Sequence, residues 1–162
     1  MFREMRRKKQ VLSLEENIAV LNRGTSGVLA VSGDDDYPYA VPLSYVYHDN
    51  TLFFHCAKTG HKLDAIARNE KVSFCVIDKD DVVSAEYTSY FRSVIVFGRT
   101  RVLTDDAERR QALKILAQKY SSDQGDSRHE QVIDKEFGAV CLLALTIEHM
   151  SGKEAIELVR AK

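Results

Sequence analysis

The residues of this chain best suited to chemistry lie together in Phe54-His55-Cys56-Ala57-Lys58-Thr59-Gly60-His61-Lys62-Leu63-Asp64. A β-type run, Thr51 to Cys56, ends where a helix-type run, Leu63 to Asn69, begins. The junction carries Lys58, Thr59, Gly60, His61 and Lys62. A helix start leaves backbone N–H groups without partners and carries a positive partial charge, so it attracts anions. Cations are out of place there unless an anion joins them. Thr59 is suited to cap the helix, Gly60 lets a ligand approach the backbone, and Lys58, His61 and Lys62 reach outward as point charges. The chemistry predicted is the holding of a phosphate. The competing account is a solvated basic helix start.

Other reactive constellations are weaker. His55, Cys56 and His61 form a loose trio with only Asp64 as a nearby acid, which lacks the paired spacing of a zinc site. No metal is expected. Cys56 sits among Phe53, Phe54 and Ala57, an environment of packing rather than of an activated thiolate. No Ser-His-Asp set can be argued from chain order. Arg92, Arg99 and Arg101 lie along a β-type run, either as a solvated strand face or as one wall of an anion site.

Those residues need elements to position them. Ser13-Leu14-Glu15-Glu16 reads as a capping box, followed by Leu14, Ile18 and Leu21 at helical spacing and Gly24 as a stop. Strands are expected over Gly27–Val31, Tyr39–Tyr47, Thr51–Cys56, Val72–Ile77, Tyr90–Leu103 and Ala139–Ile147. Asp34-Asp35-Asp36 makes a turn, and Asp49-Asn50 a tight hairpin. Pro42 cannot donate to a ladder, so its strand is at an edge, bulged, or faces a ligand. Gly98 marks a bulge or a bend. Helices are expected over 61–69 and from Thr104 to Tyr120, the latter with Ala112, Leu113, Leu116 and Tyr120 as its buried stripe. Residues 78–81, 82–89 and 121–131 read as loops, and the tail from Ser151 as a short helix or strand. The sum is a mainly β chain: a single domain over 1–162, a six-stranded antiparallel barrel with peripheral helices and a basic tail over 1–12. There is no alternating βαβ pattern, no Gly-rich dinucleotide fingerprint and no repeat.

Composition narrows the partners. The 162 residues carry 23 Lys+Arg against 24 Asp+Glu, a balance that advertises neither nucleic acid nor an acidic membrane. Arg6-Arg7-Lys8-Lys9 is a local exception, read as a solvated tail. Cys56, Cys75 and Cys141 are widely spaced within apolar runs, which argues for a reducing compartment and against a disulfide framework. With no apolar stretch of membrane-spanning length, the expectation is a soluble, cytoplasmic protein.

Laid in order, several short pieces resemble the flavin-binding split-barrel family of pyridoxamine-phosphate-oxidase-like proteins, nearest to its nitroimidazole-resistance branch. They are Tyr37-Pro38-Tyr39 with Val41-Pro42-Leu43, then Phe54-His55-Cys56-Ala57 through Gly60-His61-Lys62-Leu63-Asp64, then Asn69-Glu70-Lys71-Val72-Ser73-Phe74. Arg92-Ser93-Val94-Ile95-Val96-Phe97-Gly98 and Ser151-Gly152-Lys153-Glu154 complete the series, which spans about residues 5 to 155. No single piece is specific; their order and spacing are. The resemblance implies a homodimer with FMN at its interface. It implies that Val41, Pro42, Leu43 and Ser44 lie along the isoalloxazine. It sets His55, Lys58, Thr59, Gly60, His61 and Lys62 around the phosphate, with Ser93 approaching from the partner. His55 is then the one candidate for a proton-moving, catalytic role. Family members acting on phosphorylated pyridoxine carry a second basic cluster near the C-terminus. Residues 142–162 hold none, so that activity is not expected. The expected function is reduction of a small planar acceptor such as a nitro-aromatic by a reduced nicotinamide. The alternatives are a non-catalytic FMN sensor and a haem-binding split barrel, with His129 or His149 as axial ligand.

Overall fold

The computed structural model describes residues Met1–Lys162. Seven strands form one antiparallel sheet: β1 (Gly27–Ser32), β2 (Pro38–Leu43), β3 (Val46–His48), β4 (Thr51–Cys56), β5 (Lys71–Val83), β6 (Thr88–Val102) and β7 (Cys141–Glu154). Five helices accompany it: α1 (Leu14–Arg23), α2 (His61–Arg68), α3 (Asp106–Tyr120), α4 (Asp126–Glu136) and α5 (Ile156–Arg160). The strand order is β2-β1-β5-β6-β7-β4-β3.

The two edge strands, β2 and β3, are consecutive in the chain. Leu43 and Val46 are joined through Ser44 and Tyr45 alone, so the edges lie no more than roughly 11 Å apart at that point. A sheet whose opposite edges are tied so closely must curl into a barrel, split between β2 and β3. The expected strand over Tyr39–Tyr47 is therefore two strands on opposite sides of the split, which makes seven rather than six. Tyr45 fastens the break. Its hydroxyl donates to the Leu21 carbonyl at 2.7 Å, and its N–H donates to the Tyr120 hydroxyl at 2.9 Å. Both partners are remote in sequence, so no local pattern announced the break.

Inside the barrel Phe54, Phe74 and Tyr45 are fully buried and meet edge to face, with ring centroids 5.1 and 5.0 Å apart. A second layer packs Leu116 and Ala112 of α3 against Val46, Leu142 and Ala144 on the outer face of the sheet. The start of β7 is thus buried on both faces, which explains its unbroken apolar run Cys141-Leu142-Leu143-Ala144-Leu145.

Several local expectations hold. Ser13 and Glu16 form the reciprocal capping box of α1. Asp49 and Asn50 both take positive φ, the mirror-image turn that matches strand twist. Pro42 is on an edge strand, and the β6–β7 register shifts between Phe97 and Gly98. A Cβ on Gly98 would run into the carbonyl oxygen of Thr146 and the Leu145 side chain. Gly98→Ala is therefore expected to lose roughly 1–3 kcal/mol in a denaturant titration, and a change below about 0.5 kcal/mol would contradict the close approach.

Other expectations are corrected. Residues 78–83 and 88–89 are strand, not loop: past a bulge between Ile77 and Lys79, β5 and β6 continue as a hairpin ribbon turned at Ser84–Glu86. Such a ribbon needs no apolar face, so its polar sequence concealed it. Within 121–131, α4 begins at Asp126, where only His129 and Ile133 are buried. The last strand runs on to Glu154, and a short helix follows it. The three arginines of β6 are neutralised: Arg92 by Asp78 and Glu154, Arg99 by Glu70 and Glu148, and Arg101 by Glu108.

Candidate functional site

The junction after β4 is a strand–turn–helix, and α2 starts at His61. Gly60, not Thr59, is the capping position. Its φ of 145° and ψ of 173° belong to a region that only glycine enters readily, and nothing lies within 4 Å of where its Cβ would be. No side chain caps the helix, so the first-turn N–H groups keep their need for an acceptor. Neither Lys58 nor Lys62 takes part in any of the chain's ion pairs, whereas all three arginines of β6 do. An open glycine cradle, uncapped amides and two unpaired ammonium groups fit a phosphate.

Lys62 lies beside Cys56, the last residue of β4. Cys56 and Cys141 are cross-strand partners of β4 and β7. Burial pushes the Cys56 thiol up to about 11; Cys141 adds to the shift, and the adjacent Lys62 ammonium opposes it. Cys56 is therefore a thiol at neutral pH. Its alkylation by iodoacetamide is expected to be slow at pH 7.5 and to accelerate only as the pH nears the raised value. Rapid labelling at pH 7.5 would contradict that environment.

The histidines are less free than the sequence implies. The His61 ring stacks on Tyr39 with centroids 4.1 Å apart, its Nε2 accepts from the Asp34 N–H at 3.3 Å, and it lies 3.7 Å from the Asp34 carboxylate. The same Asp34 holds Arg68 at 3.0 Å. His61 thus ties the start of α2 to β2, and through that tie the helix start comes beside the strand that bears Val41, Pro42 and Leu43 and leads into Ser44. Tyr39, Val41 and Leu43 pack on the core, while Pro42 and Ser44 are exposed beyond the edge. His55 is exposed on the opposite face of β4 from Cys56, since strand residues alternate. Ser93 pairs with Lys153, twelve residues along β7 from Cys141. The chain contributes no contact between Ser93 and the residues of the α2 start. His129 is buried on α4 with its Nε2 2.8 Å from the Ser121 carbonyl oxygen, and His149 stacks on Phe2.

Sequence reasoning missed Cys141 and Arg109. Cys141 lies opposite Cys56, and register is a tertiary property. Arg109 lies on α3 and is fixed by donating to the carbonyls of Phe137 at 2.7 Å and Val140 at 3.1 Å.

Comparison with known proteins agrees with this architecture. The sequence model of the pyridoxamine 5'-phosphate oxidase family matches residues 13–154. The chain belongs to that family. An uncharacterised protein of Rhizobium meliloti is 34% identical over 96 residues, a match spanning 58% of this chain and 57% of that relative. The chain thus matches little more than half the length of this curated relative. Among solved structures, a candidate 5-nitroimidazole antibiotic resistance protein from Bacteroides thetaiotaomicron superposes with a TM-score of 0.74 at 22% identity, covering 89% of this chain and 86% of that one. An FAD-binding protein from Mesorhizobium loti gives 0.60 at 28% identity, covering 90% and 97%. An FAD- and haem-binding protein from Mycobacterium smegmatis gives 0.72 at 24%, covering 94% and 80%. Family members thus share this split barrel. No helix here is long and apolar enough to cross a membrane.

Proposed function

We propose that this protein is a flavin-binding oxidoreductase that holds the ribityl phosphate of its cofactor, FMN in the simplest case, at the start of α2. The observation that carries the reading is the uncapped Gly60 cradle flanked by Lys58 and Lys62, with no acid to neutralise either. The edge of β2 beside it supports a place for the ring, where Val41–Ser44 offer backbone groups and Pro42 withholds one. A relative 28% identical to this chain is described as FAD-binding, which favours a flavin over other phosphates.

A bound flavin would supply the electron transfer; the protein supplies position and charge. Lys62 and the α2 amides would anchor the phosphate. The β2 edge would orient the ring, and its N–H groups would offset negative charge there. The substrate is a small planar acceptor such as a nitro-aromatic, with a reduced nicotinamide as donor. That choice rests on the resemblance to the nitroimidazole-resistance branch.

The reading includes a homodimer. Val28, Cys75 and Ile95 are aligned across β1, β5 and β6, and Ile77, Ile95 and Phe97 are exposed on that face. A monomer seldom leaves such a patch uncovered. A second copy there would also be the source of Ser93. Three free cysteines, two of them facing each other, suit a reducing cytoplasm.

The test is an absorption spectrum after adding flavin and desalting, followed by donor oxidation with a nitro-aromatic. Retained flavin bands with acceptor-dependent donor oxidation are expected. Retained flavin that no nicotinamide reduces would make this a binding protein and overturn the enzyme reading. A haem band would replace the cofactor.

A further inference from the structure

A cleft of about 420 Å³ adjoins the phosphate cradle at Lys58. Its walls include Lys58, Leu103, Thr104, Arg109, Val140 and Cys141, and it lies between the end of β6 and the start of β7. Its volume is that of an ordinary ligand pocket, and none of the residues ascribed to flavin ring or phosphate lines it except Lys58.

The cleft is cationic by construction. Arg109 is only 15% exposed and cannot swing away: it donates to Phe137 and Val140 and lies over the Phe137 ring at 4.1 Å. Its one acidic neighbour, Asp106, points to solvent at 81% exposure. No Asp or Glu lines the cleft. Of the other acids at the start of α3, the N-cap Asp105 accepts from the Glu108 N–H, and Glu108 is paired with Arg101. The cleft and the cradle share a wall, because Cys141 lines the former and faces Cys56, which adjoins Lys62. The two lysines at the start of α2 therefore serve different spaces: Lys62 the cradle, Lys58 the seam with the cleft.

We propose that the cleft takes the adenylyl half of a dinucleotide flavin, so that cradle and cleft together select FAD over FMN. Lys58 and Arg109 face the additional phosphate. Val102, Leu103 and Val140 supply an apolar wall for the adenine. This inference rests on the reading of the cradle as a flavin-phosphate site.

Titration calorimetry of the apo-protein with FMN and with FAD tests it. FAD is expected to bind at least about tenfold tighter, the scale of one charge-assisted contact. Gly138 lines the cleft with open space where its Cβ would be, so Gly138→Glu places a carboxylate there without a clash. That variant is expected to lose the FAD advantage and keep its FMN affinity. Thr104→Glu is the second probe of the same wall, should the first fail to fold. Equal affinity of the wild type for both flavins, or an equal fall for both in the variants, overturns the inference and leaves the cradle intact. Binding of neither flavin by the wild type overturns the cradle, and the inference with it.

Discussion

Lys62→Ala is expected to weaken flavin binding by about ten- to a hundredfold while leaving the apo fold unchanged. A charge-assisted contact to a phosphate is worth roughly 1.5–3 kcal/mol, and here it acts beside uncapped helix amides that already favour an anion. Lys62 makes no ion pair within the chain, so its removal strands no buried acid. The unfolding midpoint of the apo-protein should shift little, as for other substitutions away from the core. Titration with flavin measures the first effect and thermal melting the second. Unchanged affinity would remove Lys62 from the site. A large fall in the apo melting temperature would make it a structural residue instead. The variant has a second reading: Lys62 holds the Cys56 thiol lower than burial alone would, so alkylation of Cys56 should become slower still.

Arg92→Ala is expected to cost roughly 3–5 kcal/mol of stability, the range for breaking a buried ion pair. Arg92 donates to Glu154 at 2.9 Å and to Asp78 at 3.0 Å; Glu154 is 1% exposed, and the Asp78 side chain 8%. Lys162 also reaches Glu154, but from an exposed terminus, where an ion pair contributes less. A denaturant titration showing a loss under about 1 kcal/mol would mean that water and Lys162 replace the guanidinium. The same cluster sets an acid sensitivity. Hydrogen bonding to Arg23, and next to Arg92, holds the Asp78 carboxyl below its ordinary value against the pull of burial. A carboxyl depressed on folding stabilises the native state above its unfolded pKa of about 3.9. That stability is lost as the pH falls below this value towards the lower folded one. Melting temperatures should therefore fall on acidification below about pH 4, and less steeply in Arg92→Ala. A slope unchanged by the substitution would show that Arg92 does not share in holding Asp78.

The readings that survived depend on residues a few positions apart. The Ser13–Glu16 box, the Asp49-Asn50 turn, the edge character given by Pro42 and the bulge at Gly98 follow from side-chain chemistry or backbone geometry within one turn or one strand crossing. The strand–turn–helix at Cys56–His61 belongs with them. The readings that failed lacked a local signal. The ribbon over 78–92 is polar because it leaves the core, and α4 has too little buried surface to show a stripe. Ser44-Tyr45 breaks a strand only because Leu21 and Tyr120 are waiting for Tyr45.

The same division holds at the candidate site. The sequence by itself determined that two lysines and a glycine stand at a helix start, where the backbone asks for an anion. It could not say which cations stay available. Pairing depends on contacts between distant residues: Asp34 engages His61 and Arg68, acids of other strands and helices consume the arginines of β6, and no acid pairs with Lys58 or Lys62. Nor could it place Arg109 in one cleft with Lys58, because α3 and the β4–α2 turn come to line the same space only once the sheet has closed and α3 has packed on its outer face. Local chemistry fixes what a segment can bind; the closing of the barrel decides which charges are left to bind it.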